Sequence, residues 1–460
     1  MSAPATPRRR GTDVIDWAAV RDETVAHLRR LIRIVTVNPP GNELEAARYL
    51  DGVLTGAGIQ TRLFETAPGR AVLAATLKGS GAREPLLLLA HMDVVGADPA
   101  AWSTDPFGGE VRGGYVYGRG AIDDKGMLAA NLMAMLLLKR HHVDAGEPLA
   151  RDVVFLATAD EEESGAYGLG WIIEHRPELL RAELALNEGG RTRVVGGRAL
   201  YMAVQTAEKV PHVLRLTARG TGGHGSIPLR DNAIVRLGRA LAAVGAHREP
   251  LQLVPTTRAF FRDLSAVWPV PDEARAMADV AADDPGRAAR GAAALAEIPV
   301  LDALLRNGIS PVVVRGGARH NVIPPEASAL LDVRTLPGEP LAGVIERLRA
   351  AIGDPAVTIE VEQSEAADAP SSPIDSPMFE ALRASVHAID PGIAVVPYLS
   401  TGATDSAKLR ALGIQAYGIL PFPMEQGDEA RMHGHDERVP VESLAFGTRV
   451  IYEAVRRVAR

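Results

Sequence analysis

Three short apolar segments of the chain each lead directly into side chains that can bind a metal ion. Residues 86–90 lead into His91 and Asp93, residues 153–157 into Asp160, Glu161, Glu162 and Glu163, and residues 184–186 into Glu188. Imidazole and carboxylate groups are ligands that zinc and similar cations take in catalytic sites. Each segment alone is typical of a solvated turn, because acidic side chains usually face water. Three segments with the same arrangement predict a shared metal site.

Two spacings within these segments have a chemical meaning. Side chains repeat every two residues along a strand, so Asp93 points the same way as His91 and can orient its ring. Considered alone, such a pair is typical of a protein surface. Glu161 and Glu162 are neighbours in the sequence and point in different directions. One of them can therefore bind a metal ion while the other takes a proton from the attacking water.

Another acidic segment, residues 118–126, contains Asp123 and precedes a long apolar stretch. A dinucleotide-binding fingerprint needs glycine where Asp123 stands, so that interpretation fails. A carboxylate at this point would repel a phosphate, and it would suit a pair of metal ions bridged by an aspartate. Near the C-terminus, either His433 or His435 can complete the ligand set. No Gly-x-Ser-x-Gly elbow, His-Glu-x-x-His helix or cysteine offers a different nucleophile or metal site.

The elements that position these side chains follow from the hydrophobic pattern. Apolar runs without alternation predict strands buried on both faces, at residues 71–77, 85–90, 153–157 and 184–186. Helices are predicted around residues 25–32, 43–55, 127–140 and 169–174. This order predicts an α/β domain with a mostly parallel central sheet. Ligands bind beyond the carboxyl ends of such strands, where the candidate metal ligands stand.

The pattern changes after about residue 200. An inserted α+β domain is predicted from strands at 212–218, 312–315 and 329–334 and helices at 232–244 and 344–352. Residues 270–300 are rich in Ala and Asp and are predicted to be helical, whereas residues 250–310 match no motif and leave substrate preference open. Residues 363–376 have the composition of a linker.

Bulk composition narrows the functional classes. A chain of 460 residues exceeds one ordinary core, so at least two domains are expected. A hydrophobic fraction of 47% and a charged fraction of 23% are typical of globular proteins. The net charge of −7 argues against a nucleic-acid partner, and the lack of cysteine excludes thiolate metal sites. Without a signal-like N-terminus or a long apolar run, we expect a cytoplasmic protein with no membrane partner.

Ordered sequence blocks then point to one family. They are TVNPPG, LLLLAHMDVV, WSTDPFGGEVRGGYVYGRGAIDDKG, TADEEESGAYG, LNEGG, GGHGSIP, NVIPPEASALLDVR, STGATDSAKLR and HGHDE. The chain resembles the M20 family of metallopeptidases and aminoacylases, closest to the branch of carboxypeptidase S-like and aminoacylase-like enzymes. The matching blocks span nearly the whole chain, which makes the resemblance far more specific than any single block.

The resemblance implies an architecture and an assembly. A zinc-peptidase-like catalytic domain is expected at residues 12–203 and 365–460, with an inserted lid or dimerisation domain at 204–364. The N-terminal residues 1–11 are expected to be disordered because they are rich in Pro, Ala and Arg. It also implies a homodimer and two divalent metal ions per chain, with Zn²⁺ expected and Co²⁺ or Mn²⁺ as alternatives. Substrates would be small peptides or N-acyl amino acids cleaved beside a free carboxylate.

The resemblance also implies a role for individual residues. His91 and Glu188 resemble ligands of one metal ion, Glu162 and His433 ligands of the other, and Asp123 the bridging ligand, with a cis bond to Asp124. His435 is a less suitable alternative to His433. Asp93 resembles the carboxylate that supports His91, and Glu161 the base that activates the metal-polarised water. The lid candidates are His224, which would reach the partner subunit's site and polarise the carbonyl, and the substrate-binding residues Asn321 and Arg334. Gly402 and Thr404, from the block STGATDSAKLR, are further substrate-binding candidates.

Two other classes compete with this interpretation. A two-metal phosphoesterase would need positive charge near the metal ions to hold a phosphoryl group, whereas the surroundings of these motifs are acidic. A non-catalytic homologue used as a binding module would have lost a ligand or the base, and none is lost. An activity screen with added metal ions separates all three classes.

Overall fold

The computed structural model describes residues 15–364 and 369–460. The predicted disordered segment, residues 1–11, lies outside the described residues, as does part of the predicted linker. The α-helices are α1 (Trp17–Ile32), α2 (Glu43–Gly56), α3 (Lys125–Leu138), α4 (Leu169–His175), α5 (Ala233–Ala246), α6 (Pro255–Ser265), α7 (Pro271–Val280), α8 (Pro285–Ala294), α9 (Pro299–Asp302), α10 (Leu341–Ile352), α11 (Pro377–Ile389), α12 (Asp405–Ala411), α13 (Gln426–Glu429) and α14 (Val441–Val458).

The strands follow the same chain order. They are β1 (Gln60–Ala67), β2 (Arg70–Leu77), β3 (Leu86–His91), β4 (Glu110–Arg112), β5 (Tyr115–Tyr117), β6 (Val153–Thr158), β7 (Leu184–Asn187), β8 (Arg191–Val195), β9 (Arg198–Glu208), β10 (Val210–Arg219), β11 (Gly223–His224), β12 (Gly308–Gly316), β13 (Val322–Ile323), β14 (Glu326–Thr335), β15 (Val357–Ser364), β16 (Ala394–Ser400), β17 (Gln415–Gly418), β18 (Pro423–Met424) and β19 (Arg438–Pro440).

The chain divides by its internal contacts into two compact units. The first unit comprises Met1–Val204, Pro373–Val395 and Gly413–Arg460, and the second comprises Gln205–Ser372 and Val396–Leu412. The sequence assigns residues 365–460 to the catalytic domain, whereas contacts group residues 396–412 with the second unit. The catalytic and lid roles of the two parts stay predictions.

A large mixed sheet runs through the first unit in the order β1-β2-β6-β3-β7-β17-β9-β8-β18. Its centre is parallel, because β3 pairs in parallel with β6 and β7, and β7 pairs in parallel with β17. Every residue of β3, β6 and β7 is buried. Since consecutive side chains alternate between the two faces, these strands are covered on both. The predicted α/β fold with parallel central strands is confirmed.

Helix α3 is the most deeply buried helix of the first unit's core. All 14 of its residues are buried, and it packs against α1, α14 and β3. Helix α1 buries Leu28, Leu31 and Ile32 on one face, as the 3.6-residue period predicts. The Asp16 carboxylate starts α1 by accepting the N–H groups of Ala18 and Ala19.

The second unit contains an antiparallel sheet in the order β12-β14-β10-β15. Residues of β14 alternate between buried and partly exposed positions. Helices α5 and α10 cover the apolar face, where Leu331 and Val333 pack with Leu237 and Leu348. The predicted α+β insertion therefore has the expected strands and helices.

Some elements were not predicted, and their composition explains why. Strand β1 lies at the edge of the large sheet and carries polar side chains, so its sequence has no apolar run. Helix α6 lies in the stretch without motifs, while the helices predicted over residues 270–300 are confirmed as α7, α8 and α9. Within the described residues, no helix combines the length and apolar character needed to cross a membrane.

Candidate metal centre

The carboxyl ends of three adjacent strands bring the candidate ligands together. Strands β6, β3 and β7 are neighbours in the sheet and run in parallel. His91 is the last residue of β3, and Glu188 directly follows β7. The acidic turn after β6 contributes Glu161 and Glu162. Parallel strands therefore place residues that are far apart in sequence at one edge of the sheet.

Asp123 lies between two histidines. Its Oδ1 is 3.0 Å from Nε2 of His91, and its Oδ2 is 3.1 Å from Nε2 of His433. His91 Nε2 is also 3.7 Å from Glu188 Oε1, and His433 Nε2 is 3.1 Å from Glu162 Oε2. Each oxygen of the Asp123 carboxylate thus faces one histidine that has a further carboxylate beside it.

Two overlapping sets of side chains have the spacing of metal ligands. His91, Glu161 and Glu188 form one set, and His91, Asp123 and Glu162 form the other. In each set the potential ligand atoms all lie within 4.8 Å of one another. Glu161, expected to be a base and not a ligand, therefore lies at ligand distance from the predicted metal ligands.

Asp93 holds three parts of the cluster in place. The Nδ1 atom of His91 lies 3.0 Å from the Asp93 carbonyl oxygen and 3.4 Å from its Oδ1. The Asp93 carboxylate accepts the N–H groups of Glu161 and Glu162 at 3.2 and 3.1 Å. It also accepts a hydrogen bond from Asn38 Nδ2 at 2.9 Å. This carboxylate therefore orients both a histidine ring and the acidic turn.

A sharp turn at Asp160 redirects the chain after β6. Asp160 has φ +64°, a conformation that non-glycine residues adopt rarely. Its carboxylate accepts hydrogen bonds from Asn38 Nδ2 and Ser164 Oγ, and it lies 3.2 Å from Arg70 Nη2. Arg70 in turn forms a buried bidentate pair with Glu43. These contacts compensate for the strained backbone and fix the direction of the residues that follow.

Glu437 holds the loop that carries Asp123. Its buried carboxylate accepts the N–H groups of Gly120, Ile122 and Asp123 at 3.0, 2.7 and 3.1 Å. Arg119 Nη1 donates to the same carboxylate at 2.6 Å. The Asp123–Asp124 peptide bond is cis, as the family resemblance implies.

The charges in this cluster favour bound cations. Hydrogen bonds to Asp123 and Glu162 raise the pKa of His433 to about 10. Burial lowers the pKa of His91. Its hydrogen bonds to the carboxylates of Asp123 and Asp93 together have the larger effect and raise the pKa of His91 well above its ordinary value. Burial, with the charge of Asp123, raises the pKa of Glu188. The cluster thus holds protons strongly because its carboxylates attract positive charge. Bound divalent ions would supply that charge in place of the protons.

An unpaired buried oxygen supports the same assignment. Among the described residues, Glu162 Oε1 has no hydrogen-bond donor although it is buried. A buried carboxylate oxygen without a partner is costly unless a cation binds it. The set contains nitrogen and oxygen ligands and no sulfur, which suits Zn²⁺, Co²⁺ or Mn²⁺. The residues present therefore fit divalent metal ions.

Comparison with known families agrees with this geometry. A family model described as peptidase family M20/M25/M40 matches residues 87–457. The chain belongs to this family. It is 30% identical over 371 residues to the N-fatty-acyl-amino acid synthase/hydrolase PM20D1 of Xenopus tropicalis, covering 78% of this chain and 70% of that protein. It is 28% identical over 423 residues to aminoacylase-1 of Sus scrofa, covering 90% of each chain.

Solved structures support the same fold. The M20 family metallo-carboxypeptidase Sso-CP2 of Sulfolobus solfataricus superposes with a TM-score of 0.69 at 21% identity. The superposition covers 95% of this chain and 99% of that one. The chain is thus an M20-type peptidase or aminoacylase, and the family resemblance inferred from the sequence is confirmed.

The M20 lid candidates lie in the second unit and are more exposed. His224 is exposed, and its Nδ1 lies 2.7 Å from the hydroxyl of Ser226. Asn321 is also exposed, and its carbonyl accepts the N–H of Gly225 at 2.8 Å. The short β11–β13 ladder therefore brings His224 and Asn321 close together. Arg334 is half-buried and pairs with Asp332 at 2.8 Å.

Other candidates have contacts that stabilise local structure. Thr404 caps helix α12, and its hydroxyl donates to Glu208 at 3.1 Å. The N–H of Gly402 donates to Ser400 Oγ at 3.2 Å. His435 contributes its carbonyl oxygen to Arg431, whereas His433, with φ +58°, contributes its ring to the cluster. Of the two histidines, His433 is therefore the one whose ring lies in the cluster, and its role as a ligand stays a prediction.

Sequence reasoning did not foresee the structural roles of three residues that organise the site. Asn38 links Asp93 to Asp160, Glu437 holds the Asp123 loop, and Asp160 forms the sharp turn. Asn38 lies in the family block TVNPPG and Glu437 in the block HGHDE. Their place in these blocks was the sequence feature that could have identified them.

Proposed function

We propose that this M20 chain is a two-metal hydrolase that cleaves the amide bond of small peptides or N-acyl amino acids beside a free carboxylate. The observation that carries the proposal is the position of Asp123, with one carboxylate oxygen on His91 and the other on His433. The related PM20D1 is an N-fatty-acyl-amino acid synthase/hydrolase and the related aminoacylase-1 is an aminoacylase, which supports an amide substrate.

Each metal ion would have its own ligands and one in common. His91 and Glu188 would hold one ion, Glu162 and His433 would hold the other, and Asp123 would serve both. Bound divalent ions polarise the scissile carbonyl and can lower the pKa of the attacking water from about 15.7 toward 7. Zinc is the expected ion, and Co²⁺ and Mn²⁺ suit the same ligands.

Glu161 would carry the proton during the reaction. It accepts a proton from the attacking water as the new C–O bond forms. It then returns that proton to the leaving nitrogen as the C–N bond breaks, so no net proton is consumed by the base. Support comes from its position among His91 and Glu188, and from its N–H, which Asp93 holds at 3.2 Å.

Arg334 is the proposed partner of the substrate carboxylate. A planar guanidinium can bind a carboxylate through two parallel hydrogen bonds. Burial, and then the charge of Arg334, lower the pKa of neighbouring Lys209 to about 8. Two cationic side chains therefore lie close together, with Asp332 paired to only one of them. The positive charge of Arg334 and Lys209 favours binding of the anionic end of a substrate.

His224 would act in the active site of a second subunit. Within the described residues its Nδ1 contacts Ser226, and its Nε2 has no hydrogen-bond partner. It would polarise the oxygen of the scissile carbonyl. A homodimer is supported by edge strand β12, which pairs only with β14 in the described part of the chain and exposes Val312 and Val314. Unpaired strand edges bind other strands readily.

The test combines metal analysis with a substrate screen. Protein stripped of metal is reloaded with Zn²⁺, Co²⁺ or Mn²⁺ and assayed on dipeptides and N-acyl amino acids. Elemental analysis is expected to find close to two ions per chain, and Asp123→Ala should disrupt both sites. Asp22→Ala, which removes an exposed carboxylate from α1, is the matched control. Two tightly bound ions in Asp123→Ala, or no amide hydrolysis by the wild type, would contradict the proposal.

A further inference from the structure

A pocket of about 450 Å³ in the first unit is lined by four arginines. Arg83 lies on the loop before β3, whereas Arg456, Arg457 and Arg460 lie on and after the last turn of α14. We refer to it as the arginine pocket. Its volume falls within the range of small-molecule sites, roughly 300–1,000 Å³. None of its lining residues belongs to the metal centre.

The positive charge in the arginine pocket is only partly neutralised. The guanidinium of Arg83 has no hydrogen-bond or ion-pair partner in the described part of the chain, and Arg457 Nε contacts only the hydroxyl of Ser385, at 3.2 Å. Arg456 pairs with Glu453 and Arg460 with Glu147. The arginines that face the pocket without a carboxylate partner are therefore Arg83 and Arg457.

Helix stabilisation accounts for only part of this cluster. Cations in the last turn of a helix interact favourably with its dipole, which explains Arg456 and Arg457 at the end of α14. The dipole of α14 does not explain the presence of Arg83, which lies on the loop before β3. The first helical residue of α11, Pro377, also lines the pocket and brings the positive end of that helix to it.

Backbone hydrogen bonds hold the segments that carry these arginines. The N–H of Arg83 donates to the Ala150 carbonyl at 3.1 Å, and the N–H of Ala150 donates to the Ala459 carbonyl at 2.6 Å. Ala150 thus connects the loop before β3 to the residue next to Arg460. A pocket whose walls are fixed in this way loses less entropy when a ligand binds.

We propose that the arginine pocket binds a small polyphosphate, of the size and charge of pyrophosphate or a nucleoside diphosphate. Guanidinium groups bind phosphoryl oxygens through paired hydrogen bonds, and several arginines favour adjacent phosphoryl groups over a single carboxylate. Glu380, the acidic lining residue, pairs with Arg383. Ala381 and Val458 add apolar surface beside the arginines, where a base or another apolar group can lie.

The pocket and the metal centre lie at opposite ends of the same strand. Arg83 precedes the first residue of β3, and His91 is the last. With a rise of about 3.3 Å per residue, the ends of this strand are about 17 Å apart. A ligand of pyrophosphate size in the pocket cannot contact the metal ligands, so its binding is separable from the proposed catalysis.

Calorimetric titration of the metal-loaded protein with pyrophosphate and with ADP tests the proposal. Any purification tag is placed at the N-terminus, because Arg460 lines the pocket. The double variant Arg83→Ser/Arg457→Ser should weaken binding of both ligands by roughly tenfold or more, the loss expected when charged hydrogen bonds are removed. Arg48→Ser, which removes an exposed arginine from α2, should bind like the wild type.

Polyphosphates can also bind metal ions, so a second variant separates the two sites. His433→Ala should retain polyphosphate affinity if the ligand binds in the arginine pocket and lose it if the ligand binds at the metal centre. Tighter binding of ADP than of pyrophosphate would show that the apolar lining is used, and equal affinity would limit the site to the phosphoryl groups. No detectable binding, equal binding by the double variant, or loss of binding in His433→Ala would overturn the proposal.

Discussion

Candidate metal ligands in the first unit contact one another across long stretches of sequence, whereas the side chains of His224 and Arg334 in the second unit contact near neighbours. His91 meets Asp123, 32 positions further along the chain, and His433 meets both Asp123 and Glu162. In the second unit His224 contacts Ser226, and the Arg334 guanidinium contacts Asp332, each only two positions away. The first arrangement depends on the fold, and the second depends mainly on the local chain.

This difference indicates which residues are already in place before a ligand binds and which can still rearrange. The candidate metal ligands are held in place before any ion or substrate binds, because Asp93 and Glu437 hold their backbone segments. Preorganised groups of this kind need little rearrangement on binding. Exposed His224 and half-buried Arg334 have partners that a substrate or a second subunit can replace. Variants in the two regions should therefore fail in different ways.

The largest expected effect is the loss of kcat when the proposed base, Glu161, is replaced. Glu161→Gln should lower kcat on the order of 10²–10⁴-fold, because the amide cannot accept the proton from water. Its metal content should stay at the wild-type level, since the proposed ligands are intact. Steady-state kinetics with elemental analysis measures both quantities. Glu163→Gln makes the same change at an exposed neighbour and should be almost neutral. Loss of metal in Glu161→Gln would make Glu161 a ligand.

The next prediction asks whether His224 acts in a second subunit. His224→Ala and Glu161→Ala should each be nearly inactive, and dimers re-formed from an equal mixture should recover about a quarter of wild-type activity, because half of them hold one complete site. The readout is specific activity after mixing, with the heterodimer fraction measured by native mass spectrometry. Heterodimers that form without any recovery would place His224 in its own subunit's site or outside catalysis.

Three of the five candidate metal ligands come together as the sequence predicts, because they follow a local rule. His91, Glu162 and Glu188 stand where buried parallel strands end, and strand burial is visible as apolar runs. The residue pattern left His433 and His435 equivalent and only the family resemblance favoured His433, because the difference depends on a left-handed backbone at His433. The roles of Asn38 and Glu437 depend on contacts across 55 and 314 positions, which no local pattern contains.

A smaller effect is expected when the substrate carboxylate is changed. Amidating that carboxylate should lower kcat/KM by roughly 10- to 150-fold, the equivalent of a charged hydrogen bond of about 1.5–3 kcal/mol. Arg334→Ala should remove most of this preference, and Arg334→Lys should restore little of it, since an ammonium cannot form the paired bonds. A matched acid and amide are assayed on each variant, with Arg315→Ala, an exposed arginine of β12, as the control. An unchanged preference in Arg334→Ala would mean that another group binds the carboxylate.

The last prediction concerns the stability of the second unit instead of catalysis, and it depends on Lys209. Its side chain is buried, its Nζ donates to the Arg306 carbonyl at 2.6 Å, and burial lowers its pKa from 10.5 to about 8. Between those two pH values the unfolded chain holds a proton that the folded chain has released. Stability therefore rises with pH across this window, by about 1.4 kcal/mol per pH unit, or about 3 kcal/mol in all.

Lys209→Met isolates this contribution, because other groups titrate equally in both proteins. Relative to the variant, the wild type should gain stability from pH 8 to pH 10 in urea unfolding followed by a probe in the second unit. Lys78→Met, which changes a lysine that is largely exposed, should show no such trend. A constant difference between wild type and Lys209→Met would mean that Lys209 stays protonated in the folded chain. The positive charge of Lys209 beside Arg334 would then persist to higher pH than its lowered pKa implies.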